Sequence, residues 1–274
     1  MDSVKALILG CLFCFSSLAN ASDSTLQFKL INSVKGNFNN FAVDNMGFVY
    51  VVTATNQIKK LDKNLDSVAV FNNVRQNGTV SCIDVTNPLK ILVYYKDFAT
   101  VVLLDRFLNT RQTINLRNQN ILQVKAIALS YDNNIWLFDE LDACIKKIDE
   151  QGKIIFKSAD FRMLFDDYEN PTQIIDKDGL LYLYNPKTGW LIFDYYGALK
   201  SKIAILNWQD VDVVDGLLVG RDEQFLFRAD PKLLSIKQAH TNISLKNCKK
   251  VYNERGNYFV LMQNSLELYK MLEH

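Results

Sequence analysis

Apolar residues come in unbroken runs of three to six, each stopping at a short polar turn. The stretch from Phe41 to Leu65, FAVDNMGFVYVVTATNQIKKLDKNL, shows the unit. It holds a short apolar run, a turn at Asp44-Asn45-Met46-Gly47, a second run from Phe48 to Thr53, a break at Thr55-Asn56, and a third run from Ile58 to Asp62. Further runs of the second kind are Ile91–Tyr95, Ile135–Phe138, Leu180–Tyr184, Leu217–Val219 and Tyr258–Met262. Continuous rather than alternating apolar runs predict strands covered on both faces. The turns before them are rich in Asp, Asn and Gly (44–47, 132–134, 176–179, 215–216, 255–257), which accept the positive φ that tight hairpins need.

The runs repeat at a fixed period. An apolar-Asp pair recurs at Leu61-Asp62, Leu104-Asp105, Ile148-Asp149 and Phe193-Asp194, with Asp spacings of 43, 44 and 45. It then degrades to Phe227-Arg228 and Leu268-Tyr269. A period of ~40–45 residues is that of a four-stranded propeller blade. The pattern therefore predicts an all-β, six-bladed β-propeller with blades at about 41–71, 83–116, 124–156, 173–205, 211–239 and 248–271. The last blade lacks a fourth strand, whereas Leu26–Ile31 is an orphan strand ahead of the first. Docking that strand on the outside of blade six closes the ring and removes an open edge. One insertion, Ser158–Tyr168, predicts a short amphipathic helix capped by Ser158, with Phe161, Leu164 and Phe165 packed over the junction of blades three and four.

Asp44-x-x-Gly47-Phe48-Val49-Tyr50-Val51 and Asp176-x-x-Gly179-Leu180-Leu181-Tyr182-Leu183 resemble the core of NHL-type six-bladed β-propellers, although the Asn-His-Leu tripeptide is absent. The resemblance implies a binding scaffold, with lactonases and lyases as the enzymatic minority of such folds; fold alone does not choose between them. Exported propellers of Bacteroidota are also similar in leader and composition, which implies a periplasmic or cell-surface location.

The N-terminus changes the picture of where the chain works. Lys5 followed by the apolar run Ala6–Leu18 reads as a signal peptide, too short for the ~20 residues of a membrane span. Ala19-Asn20-Ala21 places cleavage after Ala21 and gives residues 22–274 to the propeller; lipoprotein processing at Cys11 is the rival reading. Cys11 and Cys14 leave with the leader. Cys82, Cys144 and Cys248 are odd in number, widely spaced and set in apolar runs, so they are expected as core thiols rather than a disulfide framework. With 31 basic and 30 acidic residues spread evenly, neither nucleic acid nor an anionic membrane is an expected partner.

Chemistry is thin. The two histidines, His240 in an expected loop and His274 at the end, exclude a histidine-built zinc site or triad, and no phosphate-cradling glycine loop occurs. Asp166-Asp167-Tyr168-Glu169 reads as a solvated helix end. No cofactor is implied. In propellers, ligands meet the loops between second and third strands and those leading into the next blade. In the first set lie Asn56, Asp97, Glu140, Asp142, Asn185, Lys187, Arg221 and Asp222; the second offers Asn39, Asn77, Asn120, Asn170, Asn207 and Asn247, with Trp190 and Trp208 close in sequence. Such a rim suits a protein or glycan, through amide hydrogen bonds and ring stacking. Asp84 and Asp212 fall on first strands near the axis, where lactonase-like propellers hold a divalent ion. The expected function is an exported, non-catalytic scaffold for a protein or glycan in the cell envelope; the alternative is a metal-dependent lactonase- or lyase-like enzyme.

Overall fold

A computed structural model describes residues 24–72, 77–167 and 169–272. The leader with its processing sites at Ala21 and Cys11, together with Cys14, Tyr168 and His274, lies outside the described residues. The described chain begins with two strands, β1 (Ser24–Leu26) and β2 (Phe28–Lys35). Blade one is β3 (Phe38–Val43), β4 (Val49–Thr53), β5 (Ile58–Leu61) and β6 (Ser67–Phe71). Blade two is β7 (Val80–Asn87), β8 (Lys90–Tyr95), β9 (Thr100–Leu104) and β10 (Thr110–Asn115). Blade three is β11 (Val124–Leu129), β12 (Ile135–Asp139), β13 (Cys144–Ile148) and β14 (Ile154–Lys157). Blade four is β15 (Gln173–Lys177), β16 (Leu180–Asn185), β17 (Gly189–Asp194) and β18 (Leu199–Ile203). Blade five is β19 (Gln209–Val214), β20 (Leu217–Arg221), β21 (Leu226–Asp230) and β22 (Ser235–Thr241). Blade six is β23 (Lys250–Glu254), β24 (Asn257–Leu261) and β25 (Ser265–Met271).

The six sheets form a β-propeller. Each blade is an antiparallel meander, and the first strands β3, β7, β11, β15, β19 and β23 touch one another in ring order around the axis. Blade six is completed by β2, which pairs antiparallel with β25 from Phe28↔Met271 to Lys35↔Ser265. The orphan strand thus closes the ring, with a refinement of its bounds. It breaks at Gln27, and residues 24–26 add a parallel fifth strand to the outside of blade five, with Leu26 opposite Thr241. The chain start therefore bridges two blades.

The second strands of blades one to four are buried along nearly their whole length, as continuous apolar runs require. The repeating aspartate has one local job. Asp62, Asp105, Asp149 and Asp194 each accept the backbone N–H groups two and four residues on, closing the turn between third and fourth strands. In blade five the equivalent residue is Asp230, after Ala229 rather than a large apolar residue, and it accepts from Lys232 and Leu233. The mark at Phe227-Arg228 is thereby corrected: those side chains sit inside β21.

Two further expectations change. The inserted helix α1 runs only from Phe161 to Leu164 and is capped by Asp160, not Ser158, because the Asp160 side chain accepts the Arg162 N–H. Phe161 is buried between blades three and four, but Leu164 points to solvent. The acidic run is not simply a solvated end either. Glu169 is buried, where it accepts from Thr188 at 2.5 Å and pairs with Lys202 at 3.0 Å.

Candidate functional site

Each seam between neighbouring blades is filled by its own apolar cluster, and side-chain hydrogen bonds stitch the blades together. Lys60 donates to the Arg106 carbonyl across seam one–two, and Asp84 accepts the Leu129 N–H at 2.7 Å across two–three. Asp176 joins blades three and four by accepting from Ser130 at 2.7 Å and from the Trp136 indole at 2.9 Å. Gln173 donates to the Val211 carbonyl across four–five, and Asp210 accepts the Val251 N–H across five–six. Lys250 donates to Asn40 Oδ1 and to the Phe41 carbonyl, closing six to one. The axial carboxylates proposed from the sequence, Asp84 and Asp212, are thus on first strands as expected, and Asp84 acts as one of the stitches. Among the described residues no three His, Cys, Asp or Glu side chains converge to hold a metal ion.

Most of the polar loop residues are engaged with the ring itself. Asn56 takes the positive-φ place in the β4–β5 turn, and Asp97 accepts the Thr79 N–H. Glu140 accepts from Gln123 at 2.6 Å and Asn170 at 2.7 Å, which tie neighbouring connections to it. Asp142 sits between Lys146 and Lys157 at 2.7 and 2.8 Å. Those two hydrogen bonds pull its carboxyl down to about 2. Asn185 caps the backbone of Lys187, whose own side chain is exposed, and Asp222 closes its turn on Gln224 and Phe225. Arg221 is buried: its Nε donates to Asp210 at 2.5 Å, and its Nη1 reaches the Leu245 carbonyl at 3.4 Å. The two tryptophans proposed as stacking platforms are core residues, a correction to the sequence reading. Trp190 is fully buried against Tyr184, and Trp208 lies flat on Phe227 over Gly220, 7% exposed. His240 is likewise not in a loop; it lies on β22, the fourth strand of blade five, opposite Thr25 of β1.

Between its charged groups this face also leaves large apolar side chains outward. Phe98, Leu122, Leu141, Met163, Leu164 and Leu206 come from consecutive connections over blades two to five, with exposures from 44% for Leu206 to 84% for Met163. Apart from Leu164, expected in the core, sequence reading missed them, because isolated apolar residues in loops carry no pattern by themselves.

The seam between blades five and six is the loosest. Its cluster has only five fully buried members, Phe28, Ile243, Leu245, Val251 and Val260, all from one end of the seam or its outer strand. Beside it opens a cavity of about 700 Å³, reaching from Asp212 and Val219 out to Arg255 and Asp215 on the opposite, first-to-second-strand face. Asp212 lines it with one hydrogen bond, from the N–H of its neighbour Val213. Burial outweighs that bond and the nearby Lys177 and Lys250, so its carboxyl titrates above the ordinary carboxylate range, with Asp84 adding repulsion. An acid raised in this way opposes folding once ionised, and the penalty fades as pH falls through its folded value toward the ordinary one. Asp212→Asn should therefore raise the thermal midpoint at pH 7 by about 2–4 °C, the equivalent of about 1 kcal/mol in a chain of this size. The gain should shrink toward about pH 4. Thermal unfolding at the two pH values checks this; a midpoint at pH 7 equal to or below wild type would contradict it.

No family model and no curated protein matches the sequence. Solved structures match its shape. A streptogramin B lyase aligns with TM-score 0.64 at 11% identity, over 89% of this chain and 98% of that one. A catalytically inactive histidine-to-alanine variant of virginiamycin B lyase from Staphylococcus aureus, with quinupristin, gives 0.64 at 12% identity over 89% and 100%. The WD40 domain of Neurospora crassa Pan2 gives 0.66 at 10% identity over 92% and 97%. At such identities the likeness shows the fold alone: this chain is similar to β-propellers that include both a lyase and a WD40 domain.

Proposed function

We propose that this is an exported, non-catalytic, NHL-type propeller that docks a protein partner in the cell envelope through the face carrying its second-to-third-strand loops. One observation carries the reading. On that face Asp97, Glu140, Asp142 and Asn170 are bound into the ring's own hydrogen bonds and ion pairs, while a series of large apolar side chains from blades two to five is left to solvent. Exposed apolar surface gathered in this way marks contact with another macromolecule. A protein suits it better than a glycan, because both candidate tryptophans are buried and the outward row holds one aromatic ring, Phe98, among aliphatic side chains. The lyase variant lacking one histidine is inactive. Here the one described histidine, His240, lies on β22 with its ring 4.3 Å from that of Phe225. Among the described residues no helix is long and apolar enough to cross a membrane. Periplasm or cell surface follows from the leader, after cleavage at Ala21.

The test is a paired capture from the native envelope fraction. Leu122→Glu with Leu141→Glu should cut recovery of the partner at least about tenfold, the loss expected when about 1.4 kcal/mol of interface energy goes. Met46→Glu with Leu233→Glu, on the opposite turns, should leave it unchanged. Equal recovery with both pairs, or loss only with the second pair, would overturn the reading.

A further inference from the structure

The loose seam has a definite cause in the sequence. On the face that each blade turns to the next, the second strand places a large side chain at one fixed position: Tyr50, Leu92, Trp136, Tyr182 and Phe259 in blades one, two, three, four and six. These side chains fill their seams. In blade five the same position, opposite Asp212, is Val219. In blades one and three a lysine of the third strand lies over the ring at this position, Lys60 5.2 Å from the Tyr50 centroid and Lys147 4.6 Å from Trp136. Blade five keeps the cation, Arg228 directly opposite Val219, and lacks the ring. The cavity occupies the place where the other blades put a side chain.

The groups around the gap form a row. Cross-strand partners Asp212, Val219, Arg228 and Lys237 lie side by side on one face of blade five, and all four line the cavity. The row runs from a carboxylate at the axis, across the small valine, to two cations at the rim. Tyr258 of blade six stands on the facing wall, with Asn253. Neighbouring strands are ~4.8 Å apart, so acid and cations are separated by about the length of one substituted ring.

We propose that this seam is a binding site for a planar aromatic ligand that carries a protonated amine at one end and an anionic group at the other. The amine meets Asp212, the ring takes the place left by Val219, and the anion meets Arg228 and Lys237. Arg228 over the ring reproduces the cation–π contact that Lys60 and Lys147 make in their blades. The site is on the opposite side of the ring from the loop face and stands or falls independently of the partner docked there.

Isothermal titration of the intact protein with 4-(aminomethyl)benzoate tests it. Saturable one-to-one binding is expected, and the saturated analogue trans-4-(aminomethyl)cyclohexanecarboxylate should bind at least about threefold more weakly, since it keeps both charges and loses the flat ring. Val219→Phe should fill the gap from within, lowering affinity at least about tenfold while raising the thermal midpoint. Arg228→Ala changes an exposed residue, so it keeps the fold and should also weaken binding. Absence of saturable binding to the wild type would overturn the proposal. So would affinity unaltered in folded Val219→Phe and in Arg228→Ala.

Discussion

A chain beginning at Gly36, without β1 and β2, is expected to lose about 10 °C or more of its thermal midpoint and to unfold over a broader range. The strand removed is the outer one of blade six, so its loss exposes the edge of β25 and the side chains beneath. Phe28 is the anchor: it is 4% exposed, packs edge-on against Tyr258 at 4.6 Å, and its backbone is held by both ends of the Asn242 amide, at 2.8 and 2.9 Å. Emptying the Phe28 site alone costs about 3–5 kcal/mol. A kilocalorie shifts the midpoint of a chain this size by about 2–4 °C, which sets the scale. The effect exceeds that of deleting an ordinary edge strand, because these residues link the first-made part of the chain to the last and hold the ring shut. Differential scanning calorimetry of the two proteins decides it; an unchanged midpoint would show that the ring closes without them.

The second large effect is at Lys146. Its ammonium is buried in blade three, 2.6 Å from Asp139, whose side chain is 1% exposed, and 2.7 Å from Asp142. Burial alone would lower the lysine, but the hydrogen bonds it donates to these carboxylates more than offset that and the group titrates above its ordinary value. A raised lysine lends stability that is complete below its ordinary value of 10.5 and is lost only as pH climbs through the folded one. Asp142 behaves oppositely. Lowered to about 2, it stabilises above its ordinary 3.8, and that share disappears as pH falls through about 2. Lys146→Met leaves the buried Asp139 without its partner, which costs about 3–5 kcal/mol at neutral pH. Urea unfolding at neutral pH measures it, and a loss under about 1 kcal/mol would mean that water reaches Asp139.

Much of this architecture was legible because it is local. Runs such as Val49–Val52 and Ile135–Phe138 announce strands by themselves, and Asp62, Asp105, Asp149 and Asp194 mark one hairpin turn through bonds to their own neighbours. The mark faded in blade five because Ala229 gives no apolar signal ahead of Asp230, while Phe227-Arg228 mimics one. Closure was legible as a surplus at one end and a deficit at the other. The split at Gln27 was not, since Leu26 and Phe28 look alike until two different blades claim them.

The site was much less visible. Trp190, Trp208 and Arg221 sit beside polar loop residues in the sequence, yet the ring turns all three inward. Asp84, Asp176 and Lys250 find partners some 40 or more positions away, so no local pattern reports them. The gap at Val219 could be seen only by superposing six registers, since a valine in an apolar strand is unremarkable in isolation. Sequence periodicity reports what repeats, and the departure of one copy shows only when the registers are set side by side.

Hydrogen exchange of the intact protein, read on peptides covering 28–35 and 265–271, tests the ring most directly. If the chain start is the fourth strand of the last blade, the amides of both segments exchange together, as slowly as those of the outer strands elsewhere. Rapid exchange of 28–35 beside a protected 265–271 would contradict it.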